Sequence, residues 1–388
     1  MLDVEAAGEP PPLLEPEAIP PLEAPRTPRL LRPASIAEVQ EAVRSCQRLL
    51  PRGGGTKPAL STPHEEEVTV LDLRRLSGVV EYVPAEYTFT ALAGTPVAEV
   101  EQMLAQHGQY LPFDPPLAHA GATLGGTVAA GLSGPGRYRY GGVRDFILGV
   151  RFVDGLGELV TGGGRVVKNA AGFDLPKLMV GSAGRLGVLV ELTFKVFPRP
   201  LAFSTLRRPY ANLDAALEAM TQLTAAPLDI EALDLEPDRR GYILWVRLGG
   251  WPEPLAARME RLRQRLKGGD VLTDQADAAV WQAARQLAWA PADWSLVKVP
   301  ITPLRIPALE DHFQTAEAAR RYSVGGTVAW VAMPGRLAAL DHALIEMQLS
   351  GLVLRGPINL PFLGVRRGLP FAQRVKQALD PTERFLEV

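Results

Sequence analysis

The spacing of apolar residues predicts one helix and then a series of strands in the first half of the chain. A capping box, Ser35 with Glu38, opens the helix, because its side chains can bond to backbone amides that a helix end leaves free. Apolar residues then recur at helical spacing: Ile36, Val39, Val43, Cys46 and Leu50. Runs rich in β-branched and aromatic residues predict strands over 68–73, 79–83, 87–93, 146–153, 157–161 and 188–197. Asp154-Gly155 is a hairpin turn signal between two of these strands, and a further helix begins at Pro96 and ends at His107.

The second half of the chain alternates between helix-like and strand-like segments. Helices are predicted over 213–223, 255–266, 276–287 and 337–349, and strands over 242–248, 295–301, 327–333 and 352–354. This alternation predicts an α+β arrangement in which helices cover an antiparallel sheet. Pro198-Arg199-Pro200 interrupts the pattern and marks the predicted domain boundary. We therefore expect a disordered Pro- and acid-rich tail at 1–33, a first domain at 34–200 and a second domain at 201–388.

Composition leaves the predicted elements unchanged and excludes several classes of function. Lys and Arg number 41 and Asp and Glu number 43, and this net charge of −2 does not favour nucleic acid as a partner. The single cysteine, Cys46, means that the thiolates of this chain cannot hold an iron–sulfur cluster. No transmembrane segment or signal peptide is predicted. We therefore expect a cytoplasmic location, in which partner proteins could attach the chain to a membrane.

Three glycine-rich segments carry the candidate chemistry: 52–57, 121–142 and 181–188. Small or apolar residues stand between the glycines of the second segment, which is typical of packed loops and not of a flexible linker. Consecutive glycines can direct several backbone amides at one anion, although a tight turn alone would also explain the first segment. A P-loop needs a Gly-Lys pair, which the chain lacks, and Gly134-Pro135-Gly136 does not reach the third glycine of a Rossmann fingerprint.

These segments resemble FAD-binding oxidoreductases of the vanillyl-alcohol-oxidase or PCMH type, over about residues 35–200. The residues that carry the resemblance are 52–56, 121–127, 140–145, 168–175 and 181–188, in the order that the family has them. Segments 132–137 and 168–174 are most similar to the FAD-binding E-subunit family of bacterial glycolate oxidases. The resemblance implies a two-domain PCMH-type fold of the α+β class, with a C-terminal ferredoxin-like cap domain.

The resemblance also implies which residues bind FAD. The diphosphate would be held by Arg52, Gly53, Gly54, Gly55 and Thr56, with Lys57 beside them. The flavin and its ribityl chain would be lined by Gly121, Thr123, Gly125, Gly126, Thr127, Gly131 and Ser133. Backbone contacts would come from Gly187 and Val188, and the implied set also includes Tyr140 and Gly141. We expect a bulky side chain at Gly54 to take the place of the diphosphate. Several relatives attach FAD through a histidine near 138–141, where none is present, so non-covalent FAD is expected.

No catalytic residue is identified from the sequence. Oxidation of a hydroxy acid needs a base for the hydroxyl proton and a cation for the carboxylate. The candidate cations are Arg137, Arg139, Arg144, Arg355, Arg366 and Arg367, most of which are better explained as solvent-facing or helix-end arginines. Metal-containing relatives use a histidine pair that His64, His107, His119, His312 and His342 do not reproduce, so no metal site is predicted. His119 alone has a catalytic alternative to a structural role. Related 2-hydroxyacid dehydrogenases carry Glu at the position of Ala183.

The resemblance implies the FAD-binding subunit of a glycolate oxidase or dehydrogenase complex. Electrons from a small 2-hydroxy acid, glycolate or D-lactate, would pass through flavin to an iron–sulfur subunit, beside a second FAD-containing catalytic subunit. Two alternatives remain open: a self-sufficient FAD-dependent hydroxy-acid or alcohol dehydrogenase, and a structural subunit with a vestigial flavin site. The apolar segments around Trp245, Trp251 and Trp330 are the expected partner surface, with core packing as the alternative.

Overall fold

The computed structural model describes residues 29–63, 67–164, 173–314, 316–357 and 361–387. The elements of its first half are β1 (Leu30–Leu31), α1 (Ile36–Ser45), β2 (Leu49–Arg52), α2 (Pro58–Ser61), β3 (Thr69–Asp72), β4 (Val79–Val83), β5 (Thr88–Leu92), α3 (Val97–Ala105), β6 (Gln109–Tyr110), α4 (Leu124–Ala130), α5 (Arg137–Tyr140), α6 (Val143–Phe146), β7 (Ile147–Val153), β8 (Leu159–Gly163), α7 (Leu175–Met179), β9 (Val188–Lys195) and β10 (Phe197–Pro198). Within these ranges, a parallel sheet has the order β1-β3-β2 and an antiparallel sheet has the order β4-β5-β9-β7-β8. The hairpin predicted at Asp154-Gly155 is confirmed, since β7 pairs with β8 in antiparallel register.

The start of the chain differs from the sequence prediction at two points. The first helix ends at Ser45, and Leu49 and Leu50 lie buried in β2, where Leu50 pairs with Val70 of β3. Burial of both leucines in the parallel sheet outweighs the helical spacing, which is a weak preference by comparison. Leu30–Leu31, assigned to the disordered tail by the sequence, instead form β1 beside β3. The rest of that tail, 1–28, lies outside the described residues.

The second half is built on one antiparallel sheet. Its elements are β11 (Ala202–Tyr210), α8 (Leu213–Thr224), β12 (Ile230–Asp238), β13 (Gly241–Gly250), α9 (Pro252–Arg265), β14 (Asp270–Thr273), α10 (Asp274–Gln286), β15 (Ser295–Pro300), α11 (Ile306–Phe313), β16 (Ala319–Ser323), β17 (Val328–Met333), α12 (Ala338–Glu346), β18 (Ser350–Arg355), β19 (Phe362–Gly364) and α13 (Leu369–Leu379). In the described part of the chain, this sheet has nine strands in the order β14-β11-β13-β12-β16-β17-β15-β18-β19. The predicted helices and strands of this half are all found, and the expected α+β class is confirmed.

The sequence missed β11 and β12, and each contains a proline near its end. Pro209 in β11 pairs with Ile243 of β13, but β14 on the other side of β11 stops pairing at Arg207. The missing N–H of a proline is tolerated where a strand has an unpaired side. Two charged residues of β12, Asp234 and Glu236, both form ion pairs with Arg321 of β16.

The tryptophan segments expected at a partner surface lie mainly in the core, so that prediction was wrong for two of the three. Trp245 is 8% exposed and Trp330 is 4% exposed, whereas Trp251 is 70% exposed. The reason is that helices cover β13 on both faces: Leu244 packs in the main core and Trp245 packs with Trp281 of α10. A strand that is buried on both faces needs a continuous apolar run for its own packing, so these residues are not in excess of what the core requires.

The end of the chain returns to the first half. Leu379 packs against the core of the antiparallel five-stranded sheet, and Phe385, 1% exposed, packs beside α1 and β3. The backbone N–H of Leu49 donates to the carbonyl oxygen of Arg384 at 2.7 Å. The proposed boundaries at 34, 200 and 201 stay predictions, and the last residues of 201–388 contact the first half. None of the helices in the described ranges is both long and apolar enough to cross a bilayer.

Candidate functional site

The three glycine segments meet in one cleft of about 660 Å³. The first segment follows β2, the second leads into α4 and the third precedes β9, so tertiary structure brings together loops that are far apart in sequence. The sequence-predicted residues that line this cleft are Arg52, Gly53, Gly54, Gly55, Thr56, Lys57, Thr123, Gly125, Gly126 and Gly187. Ala183, which stands where related dehydrogenases carry Glu, also lines it.

The loop between β2 and α2 combines free backbone amides with a buried cation. The N–H groups of Gly54 and Gly55 donate no hydrogen bond to any described residue. Lys57 is 6% exposed, and its Nζ donates to Thr56 Oγ1 at 2.8 Å. No acidic side chain of the described residues pairs with it, and burial lowers the pKa of Lys57 to about 8 because a low-dielectric environment disfavours the charged form. A buried cation without a counter-ion, next to free amides, is suited to an anionic ligand.

Gly53 and Gly54 are needed where the first loop contacts the second. A Cβ on Gly53 would lie 2.2 Å from Thr123 Oγ1, and a Cβ on Gly54 would lie 1.8 Å from the carbonyl oxygen of Gly121. The expectation that a side chain at Gly54 would fill the ligand space is therefore corrected, since it would first separate the two loops. Gly55 is different: its φ is +68°, and the nearest atom to an added Cβ is Arg52 Cδ at 4.0 Å.

Helix α4 places the second glycine segment against the cleft. Thr123 caps the helix, with its Oγ1 accepting a hydrogen bond from the N–H of Gly126 at 3.2 Å. A Cβ on Gly125 would lie 2.8 Å from the Cβ of Ala93, so only glycine allows the helix to lie directly on the end of β5. The hydroxyl of Thr127 is buried and has no hydrogen-bond partner among the described residues.

A second cavity, of about 1050 Å³, begins at the end of α4 and reaches the nine-stranded sheet. Gly131 and Ser133 line it from the first half, and Lys298 of β15 lines it from the second. Lys298 is 9% exposed, and its Nζ donates to the carbonyl oxygen of Gly131 at 3.2 Å. Burial, and then the charge of Arg137, lowers the pKa of Lys298 to about 8. The cavity therefore contains a cation that can lose its proton near neutral pH.

Lys298 was missed by sequence reasoning, although a signal was present. It is the one charged residue in β15, whose other residues from Ser295 to Val299 are buried and mostly apolar. A lone lysine in a buried strand is expensive, so such a residue is a candidate for function.

The remaining predicted site residues line neither cavity: Gly121, Thr127, Tyr140, Gly141 and Val188. The hydroxyl of Tyr140 donates to Glu231 Oε1 of β12 at 3.1 Å, so this side chain joins the two halves of the chain. Val188 is fully buried in the core under α1. A Cβ on Gly141 would lie 2.5 Å from Asp145 Oδ2, so this glycine is required by a turn.

Most of the candidate arginines and histidines have structural partners. Arg139 pairs with Glu231 at 3.2 Å, and Arg355 donates to the carbonyl oxygen of Trp294 at 2.6 Å. Arg137 and Arg144 line the second cavity. His119 Nδ1 lies 3.2 Å from the side-chain amide of Gln282 and lines neither cavity, which favours its structural role.

The other histidines also lie apart from the cleft and the second cavity. The ring of His107 packs edge-on against Tyr82, that of His312 packs against Phe313, and His342 is exposed beside Glu346. His64 lies outside the described residues, as do residues 168–172 of the resemblance. In the ranges that the structure covers, no three His, Cys, Asp or Glu side chains form a group that could hold a metal ion.

Comparison with known proteins gives a consistent result. A family model described as an FAD binding domain matches residues 27–163. The chain is 39% identical over 253 residues to glycolate oxidase subunit GlcE of Escherichia coli, a match that covers 65% of this chain and 68% of that protein. It is 27% identical over 266 residues to glycolate oxidase subunit GlcD of Bacillus subtilis, covering 63% of this chain and 56% of that one.

More distant similarities extend to other oxidoreductases and to a known fold. D-2-hydroxyglutarate dehydrogenase of Xanthomonas citri is 30% identical over 211 residues, which cover 53% of this chain and 44% of the dehydrogenase. Among solved structures, alkyldihydroxyacetonephosphate synthase superposes with a TM-score of 0.68 at 17% identity, over 91% of this chain and 76% of that one. At this identity the similarity shows the fold alone.

Proposed function

Since this chain belongs to the PCMH-type family of FAD-binding oxidoreductases, we propose that it is the FAD-binding subunit of a complex that oxidises a 2-hydroxy acid. The chain is an FAD-dependent oxidoreductase, and its relatives include two glycolate oxidase subunits and a hydroxy-acid dehydrogenase. Glycolate or D-lactate is the proposed substrate of the complex.

The observation that supports the proposed position of FAD is Lys57, which is buried with no acidic partner among the described residues, beside the free amides of Gly54 and Gly55. In our proposal these groups, with Thr56 and Arg52, hold the diphosphate by charge and hydrogen bonding. The remaining length of the cofactor then follows α4, past Thr123, Gly125 and Gly126.

The flavin ring is proposed to lie where the cleft meets the second cavity. Ala130 lines both spaces, and Gly131 and Ser133 follow it at the end of α4. Gly131 approaches Gly181 closely, so that an added Cβ would lie 3.2 Å from its Cα, and small residues thus form this wall. When bound, FAD would supply an acceptor for the hydride that leaves the hydroxyl-bearing carbon of the acid.

Lys298 is the residue that we assign to the acid. In its protonated form it can bind a carboxylate in the second cavity. Among the described residues its Nζ makes one hydrogen bond, to Gly131, and an ammonium group has three to donate. Its pKa of about 8 means that the charged form predominates at pH 7 and is lost as the pH rises above 8. This assignment favours a second possibility, that the chain oxidises the acid by itself.

The electrons must then leave the flavin, and the chain has a single cysteine with which to bind a cluster. We therefore propose an iron–sulfur subunit as the acceptor and a second FAD-containing subunit as the partner that carries out most of the substrate oxidation. Attachment of FAD is proposed to be non-covalent, because no histidine stands at 138–141.

The first test is acid denaturation of the purified chain. Release of a yellow cofactor that chromatographs as FAD supports the proposal, and flavin that stays with the precipitate contradicts non-covalent binding. The second test adds glycolate or D-lactate anaerobically to the isolated chain and follows flavin absorbance. The subunit hypothesis would be wrong if the acid rapidly bleaches the flavin and the purified monomer turns over at full rate with an artificial acceptor. The chain would then be a self-sufficient dehydrogenase.

A further inference from the structure

A third cavity, of about 1460 Å³, lies beside the second one and is rich in arginine. The segment from Leu178 to Leu186 forms one wall, β18 and β19 form another, and α13 with the residues before it closes the third side. We call it the arginine cavity, after Arg185, Arg366 and Arg367. None of the residue sets assigned to FAD above includes these three.

The charges of the arginine cavity are not balanced. Its lining contains three arginines and no acidic side chain in the part of the chain that the structure describes. Arg185 is 5% exposed; its Nε donates to the carbonyl oxygen of Glu387 at 2.6 Å and its Nη1 donates to that of Ala183 at 3.0 Å. Its Nη2 donates to no described residue. Burial, and then repulsion by Arg366, lowers the pKa of Arg185 to about 10.

Two of these arginines flank one aromatic ring. The guanidinium carbon of Arg185 lies 5.4 Å from the ring centroid of Phe362, and that of Arg366 lies 4.6 Å from the same centroid. Both cations lie near the same ring and repel each other, and the described residues that line the cavity place no acidic side chain beside them, an arrangement that an anionic ligand would stabilise. The hydroxyl of Ser182, also in the wall, is buried and has no hydrogen-bond partner among the described residues.

Apart from Gln348 and Ser350, most of the remaining wall is apolar. Leu178, Val180, Leu349, Leu363, Val365 and Phe371 line the cavity, and Phe371 is 61% exposed. A ligand that fits this surface has a carboxylate for the arginines and a hydrocarbon body for the wall. An inorganic anion would satisfy the charge and leave the apolar wall in contact with water.

The arginine cavity and the cavity of Lys298 share one wall: Val180, Gly181, Pro300, Ser350, Gly351 and Phe362. The cations along this path pass from exposed to buried: Arg366 and Arg367 are exposed, whereas Arg185 is 5% and Lys298 is 9% exposed. A row of like charges in a cleft raises the local concentration of the oppositely charged substrate.

We propose that the arginine cavity binds an organic acid, with its carboxylate between Arg185 and Arg366 and its apolar body against Phe371 and the neighbouring wall. It is the outer binding position of an acid on its way to Lys298. The role in delivery rests on the proposed function, whereas binding of a carboxylate does not.

The test uses the full chain with FAD and titrates it with hexanoate in a calorimeter. We expect hexanoate to bind, acetate and inorganic phosphate to bind more weakly because they lack the apolar body, and 1-hexanol to give no saturable signal because it lacks the charge. The double variant R366Q/R367Q should weaken hexanoate binding about tenfold or more, since hydrogen bonds to charged groups are stronger than neutral ones. R261Q, which removes an exposed arginine of α9, is the matched control and should bind as the wild type does.

Equal affinity in the wild type and in R366Q/R367Q, or tight binding of 1-hexanol, would overturn the proposal. Because Arg366 and Arg367 are exposed, their replacement should leave the thermal midpoint unchanged, and this measurement separates lost binding from lost folding. Arg185 is left intact in this test, since it also holds the end of the chain. If hexanoate binds but no 2-hydroxy acid reduces the flavin even when the partner subunits are present, the site stands and the proposed function fails.

Discussion

Replacement of Lys57 by methionine tests two effects of this buried cation: the loss of stability that it causes in the apoprotein and the affinity for FAD that it provides. In the protein without FAD, burial lowers the pKa of Lys57 from 10.5 to about 8, and one pKa unit corresponds to about 1.4 kcal/mol. The charge at pH 7 thus costs the folded apoprotein about 3 kcal/mol. The variant also loses the hydrogen bond to Thr56, worth about 1 kcal/mol. We expect Lys57→Met to raise the free energy of unfolding of the apoprotein by about 2 kcal/mol at pH 7.

The gain should depend on pH in a defined direction. The folded-state pKa is below the unfolded one, so the unfolded chain binds more protons between about pH 8 and 10.5 and the wild type becomes more stable across this window. The variant lacks the contribution of Lys57 to this rise, so its advantage should disappear by about pH 10. Lys298 titrates in the same window in both proteins and cancels in the comparison.

Urea unfolding of the two apoproteins at pH 7 and pH 10 measures the stability difference and its dependence on pH. Fluorescence titration with FAD measures how much the charge contributes to cofactor affinity. FAD should bind at least about tenfold more weakly to the variant, because a hydrogen bond between charged groups is lost. The reasoning is refuted if the variant is less stable than the wild type at pH 7, if the difference does not change with pH, or if FAD affinity is unaltered.

Three further substitutions test other parts of the structure. Gly54→Ala should lower the free energy of unfolding, measured in urea, by about 3 kcal/mol, because the added methyl group would overlap the carbonyl oxygen of Gly121 in the facing loop. Gly164→Ala is the control and should leave this free energy unchanged, because its methyl group meets open space. Asp380→Asn should cost about 3 kcal/mol or more in the same assay, since it leaves Lys376 buried without its carboxylate partner at 2.7 Å. Lys298→Met should raise the KM for the hydroxy acid more than it lowers kcat. It should also remove the loss of affinity that the wild type shows as the pH rises through 8, where Lys298 loses its proton.

Local signals were sufficient for much of the fold. The hairpin at Asp154-Gly155, the helices α8, α9, α10 and α12, and strands such as β15 and β17 follow from periodicity and turn residues. Where the sequence failed, a long-range contact decided the outcome. Leu50 continues the helical spacing but pairs with Val70 of β3, and Trp245 packs with Trp281 of α10.

The sequence by itself determined which loops are rich in glycine, and therefore where backbone amides could approach an anion, because glycine requirements are local and visible. Only the tertiary structure decided what each glycine is for: Gly54 for contact with the carbonyl of Gly121, and Gly55 for a left-handed backbone facing open space. The two lysines that we assign to the site became distinctive for the same reason. Their pKa values of about 8 come from burial, and burial is created by residues far away in sequence that pack around them.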